Sequence, residues 1–123
     1  MYPPWRWERS LAAGWRRPAG DGGGPIIVAR FRLQCRPERA EEMAAAIAAV
    51  EAPSRALPGV VYFDVARSLT DPDTFVVIEV FEDHQALDHQ NAQREVAQVL
   101  SLIEVGALTG DYEWTVWETS AAE

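Results

Sequence analysis

The segment VVYFDVARSLTDPDTFVVIEVF, residues 60–81, decides the fold of this chain. It contains two runs rich in Val, Ile, Phe and Tyr, residues 60–67 and 74–81, and that composition is typical of β-strands. The polar residues 70–73 between them place Pro72 after an aspartate, which is turn chemistry. Because so few residues separate the two runs, the segment predicts an antiparallel hairpin.

Residues 25–34 and 112–117 predict the first and the last strand of the same sheet. Side chains of a strand alternate between the two faces of its sheet. In the first strand, one face therefore holds Ile27, Ala29, Phe31 and Leu33. The other face holds Ile26, Val28, Arg30 and Arg32, which sets two arginines among apolar neighbours.

Two stretches with helical periodicity connect these strands. Residues 37–52 carry apolar side chains at helical spacing, with Pro37 in the first turn and Pro53 expected to end the helix. Residues 84–103 predict one continuous second helix, with Asp83 as its N-cap. The resulting order, βαββαβ, predicts a ferredoxin-like α+β domain with a four-stranded antiparallel sheet and both helices on one face.

The sheet face without helices is also substantially apolar in this prediction, with Phe, Val, Tyr and Trp side chains on several strands. An apolar face of that size is a liability when it is left in water. A partner sheet removes the liability, so we expect a homodimer.

Composition excludes several classes of function. The net charge of −8 argues against nucleic acid, whose phosphates require a concentrated basic face. No stretch approaches the roughly 18 uninterrupted apolar residues of a membrane span, so we expect no membrane and a cytoplasmic protein. The only cysteine, Cys35, allows no disulfide framework and nearly excludes a Cys/His metal cage. We therefore expect no metal site.

The chain divides into three parts by composition. Residues 1–24 are rich in Trp, Arg and Gly and predict a flexible N-terminal arm. This arm either docks on an acidic surface or is an upstream extension without a role. Residues 25–119 form the expected folded domain, and residues 120–123 form a short tail.

Three segments carry a resemblance to a known family. They are residues 27–31, which open a strand, residues 58–60, which precede the second strand, and residues 75–83, which lead into a helix with Ala86-Leu87. Over residues 25–118 the chain resembles the antibiotic biosynthesis monooxygenase (ABM) family, which includes quinol monooxygenases and anthrone oxygenases. The resemblance implies a dimeric α/β barrel and a monooxygenase, an oxidoreductase that needs no cofactor, neither metal nor flavin. In that mechanism an electron-rich phenol or anthrone is deprotonated, and its anion reduces O₂ directly.

The chain departs from the family at two positions. The family usually has a tryptophan after the strand glutamate, where this chain has Phe81. It usually has a histidine on the following helix, and Gln90 aligns with that position, immediately after His89. One residue on a helix is a rotation of about 100°, so His89 does not simply replace the missing side chain.

Three residues are candidates for catalysis of such a reaction. Arg30 either stabilises the substrate oxyanion or forms an ion pair with Glu79 across the sheet. His89 is either a base, because its unperturbed pKa suits proton transfer near neutrality, or an uninvolved histidine on the helix surface. Asn91 either donates a hydrogen bond to a substrate carbonyl or is a polar helix residue.

The candidates for substrate contact are Tyr62, Glu79, Phe81 and Trp114. Aromatic side chains at strand spacing either line a pocket or belong to the core or to an interface. The leading hypothesis is a cofactor-independent monooxygenase for a quinol or aromatic polyketide-type substrate and O₂. The alternatives are a non-oxidative barrel that binds or isomerises an aromatic or lactone intermediate, and a non-catalytic dimeric module.

Overall fold

A computed structural model describes residues 25–119 of the chain. The predicted arm, residues 1–24, and the tail, residues 120–123, lie outside the described residues. The elements are β1 (Ile27–Gln34), a 3₁₀ turn (Pro37–Arg39), α1 (Ala40–Arg55), β2 (Val60–Arg67), β3 (Thr74–Phe81), α2 (His84–Asn91), α3 (Arg94–Glu104) and β4 (Glu113–Glu118).

The strands form one four-stranded sheet in the order β2-β3-β1-β4, and every neighbouring pair is antiparallel. This is the predicted ferredoxin-like α+β arrangement, and the predicted β2–β3 hairpin is confirmed. Its turn is held by Asp71, whose carboxylate accepts hydrogen bonds from the Thr74 hydroxyl at 2.7 Å and the Asp73 amide at 3.4 Å. The turn chemistry therefore acts through an aspartate side chain that bonds the local backbone.

The main core lies between the sheet and the helices α1 and α3. Its buried members include Leu33, Met43, Ile47, Phe63, Phe75, Val77, Val99 and Leu102. A second, smaller cluster joins α2 to the same face of the sheet and consists of Ile27, Ala29, Phe81, Ala86 and Leu87. The alternation predicted for the first strand is confirmed, because Ile27, Ala29 and Leu33 are all buried against helices. Among residues 25–119 the structure has no helix both long and apolar enough to span a membrane.

The first helix does not end at Pro53 as predicted. Pro53 lies inside α1, which continues to Arg55. A proline in a helix loses one backbone hydrogen bond, so other contacts must hold the last turn. Ser54 is fully buried there, and the Arg55 Nε donates a hydrogen bond to the Phe63 carbonyl of β2 at 3.1 Å.

The predicted second helix, residues 84–103, is two helices. The Asp83 cap is confirmed, since its Oδ1 accepts from the Ala86 amide at 2.9 Å. The prediction of one continuous helix is wrong, because Gln93 adopts an extended conformation, with φ −70° and ψ 147°, between α2 and α3. Its side chain bonds to Ser54 and Gln90 instead. Residues 88–95 contain neither proline nor glycine to mark the break, which is why the sequence conceals it.

Candidate functional site

A cavity of about 280 Å³ lies between the helices and the sheet. Most of its wall is aliphatic or aromatic, formed by Phe31, Ile47, Val50, Phe63, Val77, Val96, Val99, Leu100, Tyr112 and Trp114. Its polar residues are Glu79, Gln90 and Asn91. An apolar cavity of about 150 Å³ is large enough to bind benzene. This cavity therefore has room for two fused rings.

Glu79 carries the one carboxyl group among the cavity residues of the described chain. It lies in the middle of β3, with Ala29 of β1 and Phe63 of β2 directly opposite. Only 5% of the residue is exposed, and no group of residues 25–119 donates a hydrogen bond to its carboxylate or forms an ion pair with it. Burial in these apolar surroundings raises the pKa of Glu79 from 4.5 to about 8, because a charged carboxylate is poorly solvated there.

Gln90 lies in the last turn of α2 and is 2% exposed. Its Oε1 accepts a hydrogen bond from the Gln93 Nε2 at 2.8 Å, and the same Nε2 lies 3.1 Å from the Ser54 Oγ. The Gln90 Nε2 has no acceptor among the described residues. Every described side-chain nitrogen or oxygen that is sealed from solvent has a partner, so this amide nitrogen opens onto the cavity that Gln90 lines.

Aromatic side chains form the rim of the cavity. Phe31 of β1 packs against Tyr112 with ring centroids 5.2 Å apart, and against Trp114 of β4 at 6.1 Å with an edge-on geometry. Tyr112 is 45% exposed and Trp114 is 40% exposed, so both stand between the interior and solvent.

The structure brings together three of the predicted site residues and separates the others from them. Glu79, Asn91 and Trp114 all line the cavity. Phe81 does not line it, because this side chain is fully buried in the smaller core cluster. Tyr62 lies on the other face of the sheet, where its hydroxyl donates to the Asp64 carboxylate at 3.3 Å.

The predicted ion pair between Arg30 and Glu79 is wrong. The residue opposite Glu79 in β1 is Ala29, so the side chains of Glu79 and Arg30 point to opposite faces of the sheet. The Arg30 guanidinium instead lies 3.4 Å from the carboxylate of Glu113, which also lies 3.6 Å from the guanidinium of Arg32. A catalytic role for Arg30 stays a prediction, and it does not involve this cavity within one chain.

His89 is exposed on α2, whereas its neighbour Gln90 faces the interior. Gln90, at the position expected to match the family histidine, lines the cavity, whereas His89 does not. A role for His89 as a base stays a prediction. The sequence contained a sign of the burial of Gln90, because it follows Ala86 and Leu87 by four and three residues and so shares their buried helix face.

Cys35, the one thiol of the chain, does not line the cavity. Cys35 is 1% exposed, and burial raises the pKa of its thiol to about 11. Within residues 25–119 there is no cluster of three or more His, Cys, Asp or Glu side chains that could hold a metal ion.

Comparison with known proteins gives a family and a fold. The model of the antibiotic biosynthesis monooxygenase family matches residues 26–99, and none of the curated proteins matches the chain. Among solved structures, a protein of Shewanella oneidensis has a TM-score of 0.71 at 17% identity, over 80% of this chain and 95% of its own. A protein of Mycobacterium tuberculosis has a TM-score of 0.67 at 23% identity, over 75% and 92%.

A proposed antibiotic biosynthesis monooxygenase of Nitrosomonas europaea is similar too, with a TM-score of 0.68 at 16% identity, over 76% of this chain and 89% of its own. At these identities the structural likeness shows the fold alone. The family match spans Glu79, Gln90 and Asn91, the polar residues of the cavity.

Proposed function

The chain belongs to the antibiotic biosynthesis monooxygenase family, and we propose that it oxygenates a small quinol or aromatic polyketide-type substrate with O₂ and without a cofactor. The observation that carries the proposal is Glu79, a buried carboxyl group without a described partner in an aromatic-walled cavity. A cavity of about 280 Å³ with apolar walls and three polar residues suits an aromatic ligand of this size.

The first step of the proposed reaction is the transfer of a substrate proton to Glu79. A general base works best when its pKa lies near the working pH, and burial has raised the pKa of Glu79 to about 8. An unperturbed glutamate is a far weaker base. Because no cation among the described residues neutralises this carboxylate, it also remains free to accept the proton.

The proposed oxidation balances without any further reactant. For a 1-naphthol, which has two fused rings, the naphtholate formed by loss of the hydroxyl proton transfers one electron to O₂, and the resulting pair recombines with formation of a C–O bond at the para carbon. The peroxide takes the proton from Glu79. Loss of the C–H proton at that carbon to Glu79 and cleavage of the O–O bond then give a quinone and hydroxide, and the hydroxide regains that proton as water. One O₂ is consumed for each quinone and each water formed.

The amides of Gln90 and Asn91 supply the stabilisation of negative charge in this proposal. Both residues line the same cavity as Glu79, and the Gln90 Nε2 is a donor without an acceptor among the described residues. Donors fixed in place before the reaction stabilise a developing oxyanion without the cost of reorientation. In this proposal Gln90 occupies the position of the family histidine. Unlike that histidine, which can carry a positive charge, Gln90 is a neutral hydrogen-bond donor.

We also propose that two chains pair through the sheet face opposite the helices. That face carries Val76 and Ile78 in its centre, both only half-buried, whereas the two core clusters that contain the helices lie on the other face. Packing a second sheet there removes apolar surface from water, which is the dominant favourable term in most protein association. The cavity with Glu79 lies on the other face and is formed within one chain.

A non-oxidative enzyme is the second candidate, and the donor–acceptor character of the cavity favours it. A base beside a neutral amide donor is sufficient to move a proton between two carbon atoms of an enolisable ketone. That reaction needs the same residues and no O₂. The two candidates therefore differ in the product and not in the site.

Oxygen uptake by metal-stripped protein with a panel of naphthols and naphthoquinols tests the proposal. We expect protein-dependent uptake that falls by at least about 100-fold in Glu79→Gln, the range typical for loss of a general base. Glu104→Gln is the matched control, because Glu104 is exposed at the end of α3, and its uptake should equal that of the wild type.

Two outcomes would contradict the proposal. Uptake that persists in Glu79→Gln but disappears in Arg30→Ala would move the chemistry to the opposite face of the sheet. Absence of uptake, together with Glu79-dependent exchange of the substrate C–H for deuterium under nitrogen, would replace the oxygenase with the non-oxidative enzyme.

A further inference from the structure

We infer that Gln90, oriented by Gln93 and Ser54, selects ligands of two fused rings that carry a carbonyl oxygen together with an ionisable hydroxyl. The inference rests on the proposed function in one respect only, that the cavity is the substrate site. It adds a specificity-determining residue, Gln90, and a positioning residue, Gln93, which lies outside the cavity wall.

The orientation of the Gln90 amide follows from its hydrogen bonds. An amide side chain has one acceptor oxygen and one donor nitrogen, so bonding one end leaves the other for the cavity. Gln93 donates to the Gln90 Oε1 at 2.8 Å, which leaves the Gln90 Nε2 facing the ligand. Ser54 fixes Gln93 in turn, because its Oγ accepts from the same nitrogen at 3.1 Å.

The anchor of this chain of hydrogen bonds is a buried residue within a helix. Ser54 is fully buried in the last turn of α1, directly after Pro53. Gln93 lies at the break between α2 and α3, where the extended backbone turns its side chain towards α1. The break between α2 and α3 therefore allows the Gln93 side chain to connect α1 with Gln90 in the cavity wall.

The two polar groups that meet the ligand are complementary in type. Gln90 offers a donor that cannot ionise, and Glu79 offers a carboxyl group that can both accept and return a proton. A buried donor left without an acceptor is costly, so a ligand that brings a carbonyl oxygen is favoured over one that brings a methylene group. A hydroxyl group on the same ring system meets the carboxyl group of Glu79. The volume of about 280 Å³ limits the ring system to about two fused rings.

Three compounds of one skeleton separate these contributions. 6-Hydroxy-1-tetralone has the hydroxyl and the carbonyl, 6-hydroxytetralin lacks the carbonyl, and 1-tetralone lacks the hydroxyl. Binding to the full chain is measured under nitrogen by isothermal titration calorimetry, which reports affinity without requiring turnover. We expect the hydroxytetralone to bind about tenfold more tightly than the hydroxytetralin, the value of one well-formed hydrogen bond.

Variants then assign the preference to its residues. Gln90→Leu keeps a similar volume and removes the donor, so the two hydroxy compounds should bind within about twofold of each other. In Gln93→Glu the new side chain has only acceptor oxygens. The Gln90 amide should therefore turn its nitrogen towards residue 93 and its oxygen towards the ligand. We expect the preference to disappear in Gln93→Glu as well. Gln85→Leu and Gln98→Leu, on exposed turns of α2 and α3, should keep it.

The ratio of the affinities for the hydroxytetralone and the hydroxytetralin distinguishes a loss of amide positioning from structural damage. A loosened cavity weakens the binding of both compounds equally and leaves this ratio unchanged. A tenfold preference that survives in Gln93→Glu would overturn the role of Gln93, and one that survives in Gln90→Leu would overturn the inference as a whole. Equal binding of 1-tetralone and the hydroxytetralone would refute recognition of the hydroxyl. If the expected ratios appear without any oxygen uptake by the same protein, the inference stands and the oxygenase proposal fails.

Discussion

The two faces of the sheet carry the same types of side chain in opposite settings. On the helical face, Glu79 is buried without a partner among residues 25–119, and its pKa is raised to about 8. On the other face, Glu113 is more than half exposed and lies within 3.6 Å of the guanidinium groups of Arg30 and Arg32. One glutamate thus has a pKa close to neutrality because it is buried, and the other belongs to a solvated charge cluster.

This difference shows that burial under the helices, and not residue type, determines which carboxyl group has a shifted pKa. Neighbouring residues of β1 belong to different faces, so Arg30 and Ala29 meet entirely different surroundings although they are adjacent in sequence. Burial of a charged carboxylate without a partner costs free energy, and among the cavity residues this cost arises at Glu79.

The largest effect on stability is expected from Glu79→Gln at alkaline pH. In wild type, the unfolded chain loses the Glu79 proton near pH 4.5, whereas the folded chain keeps it up to about pH 8. The folded state therefore binds more protons in this window, and stability falls as the pH rises through it. Relative to wild type, the variant should be more stable by about 3–5 kcal/mol at pH 9 and equally stable at pH 4.

Denaturant unfolding of both proteins at pH 4 and pH 9, at one fixed protein concentration, measures this difference. The comparison with wild type at each pH removes the titration of all other groups. A variant that gains nothing at pH 9 would show that the carboxylate is well solvated, and the proposed base would lose its physical origin.

A smaller effect is expected on association through the opposite face. We expect light scattering to give twice the chain mass of 13.7 kDa. Ile78→Asp should weaken the dimer by about 30-fold or more, because a charge then replaces an apolar side chain at the centre of the proposed interface. Val105→Asp is the control, since Val105 is already 66% exposed at the end of α3. A wild-type mass of 13.7 kDa at micromolar concentrations would refute the dimer.

The smallest effect is expected from Glu113→Gln, which removes the carboxylate shared by Arg30 and Arg32. Exposed ion pairs contribute at most about 1 kcal/mol, so the free energy of unfolding should change by less than that at any pH between 5 and 9. Denaturant unfolding checks this beside Glu79→Gln. A loss of several kcal/mol would mean that the charge cluster is buried in the assembled protein, and the contrast between the faces would vanish.

Strand positions, the hairpin and the ferredoxin-like order were predictable, because alternation and turn chemistry are local properties of the sequence. The strands β2 and β3 lie at the predicted residues, and Asp83 caps its helix. The break at Gln93 was not predictable in this way. It depends on hydrogen bonds to Ser54, which is 39 residues away in the chain.

The site was predictable in part. Glu79, Asn91 and Trp114 were recognised as candidates and line one cavity, whereas Arg30, His89, Tyr62 and Phe81 do not. An ion pair between Arg30 and Glu79 was one of two alternatives for Arg30, because both are charged residues in strands of one predicted sheet. Register decides that question, and the strand pairing sets Glu79 beside Ala29.

By itself the sequence determined the strands, their order and the types of group available for chemistry, since these follow from periodicity, turn chemistry and composition, and its resemblance to known proteins indicated the family. Only the tertiary structure decided which face each strand presents to the helices, that Gln90 and not His89 turns inward, and that Glu79 has no described partner. The physical reason is that a pKa and a hydrogen-bond partner depend on everything packed around a group. Residues far apart in the chain supply most of those surroundings.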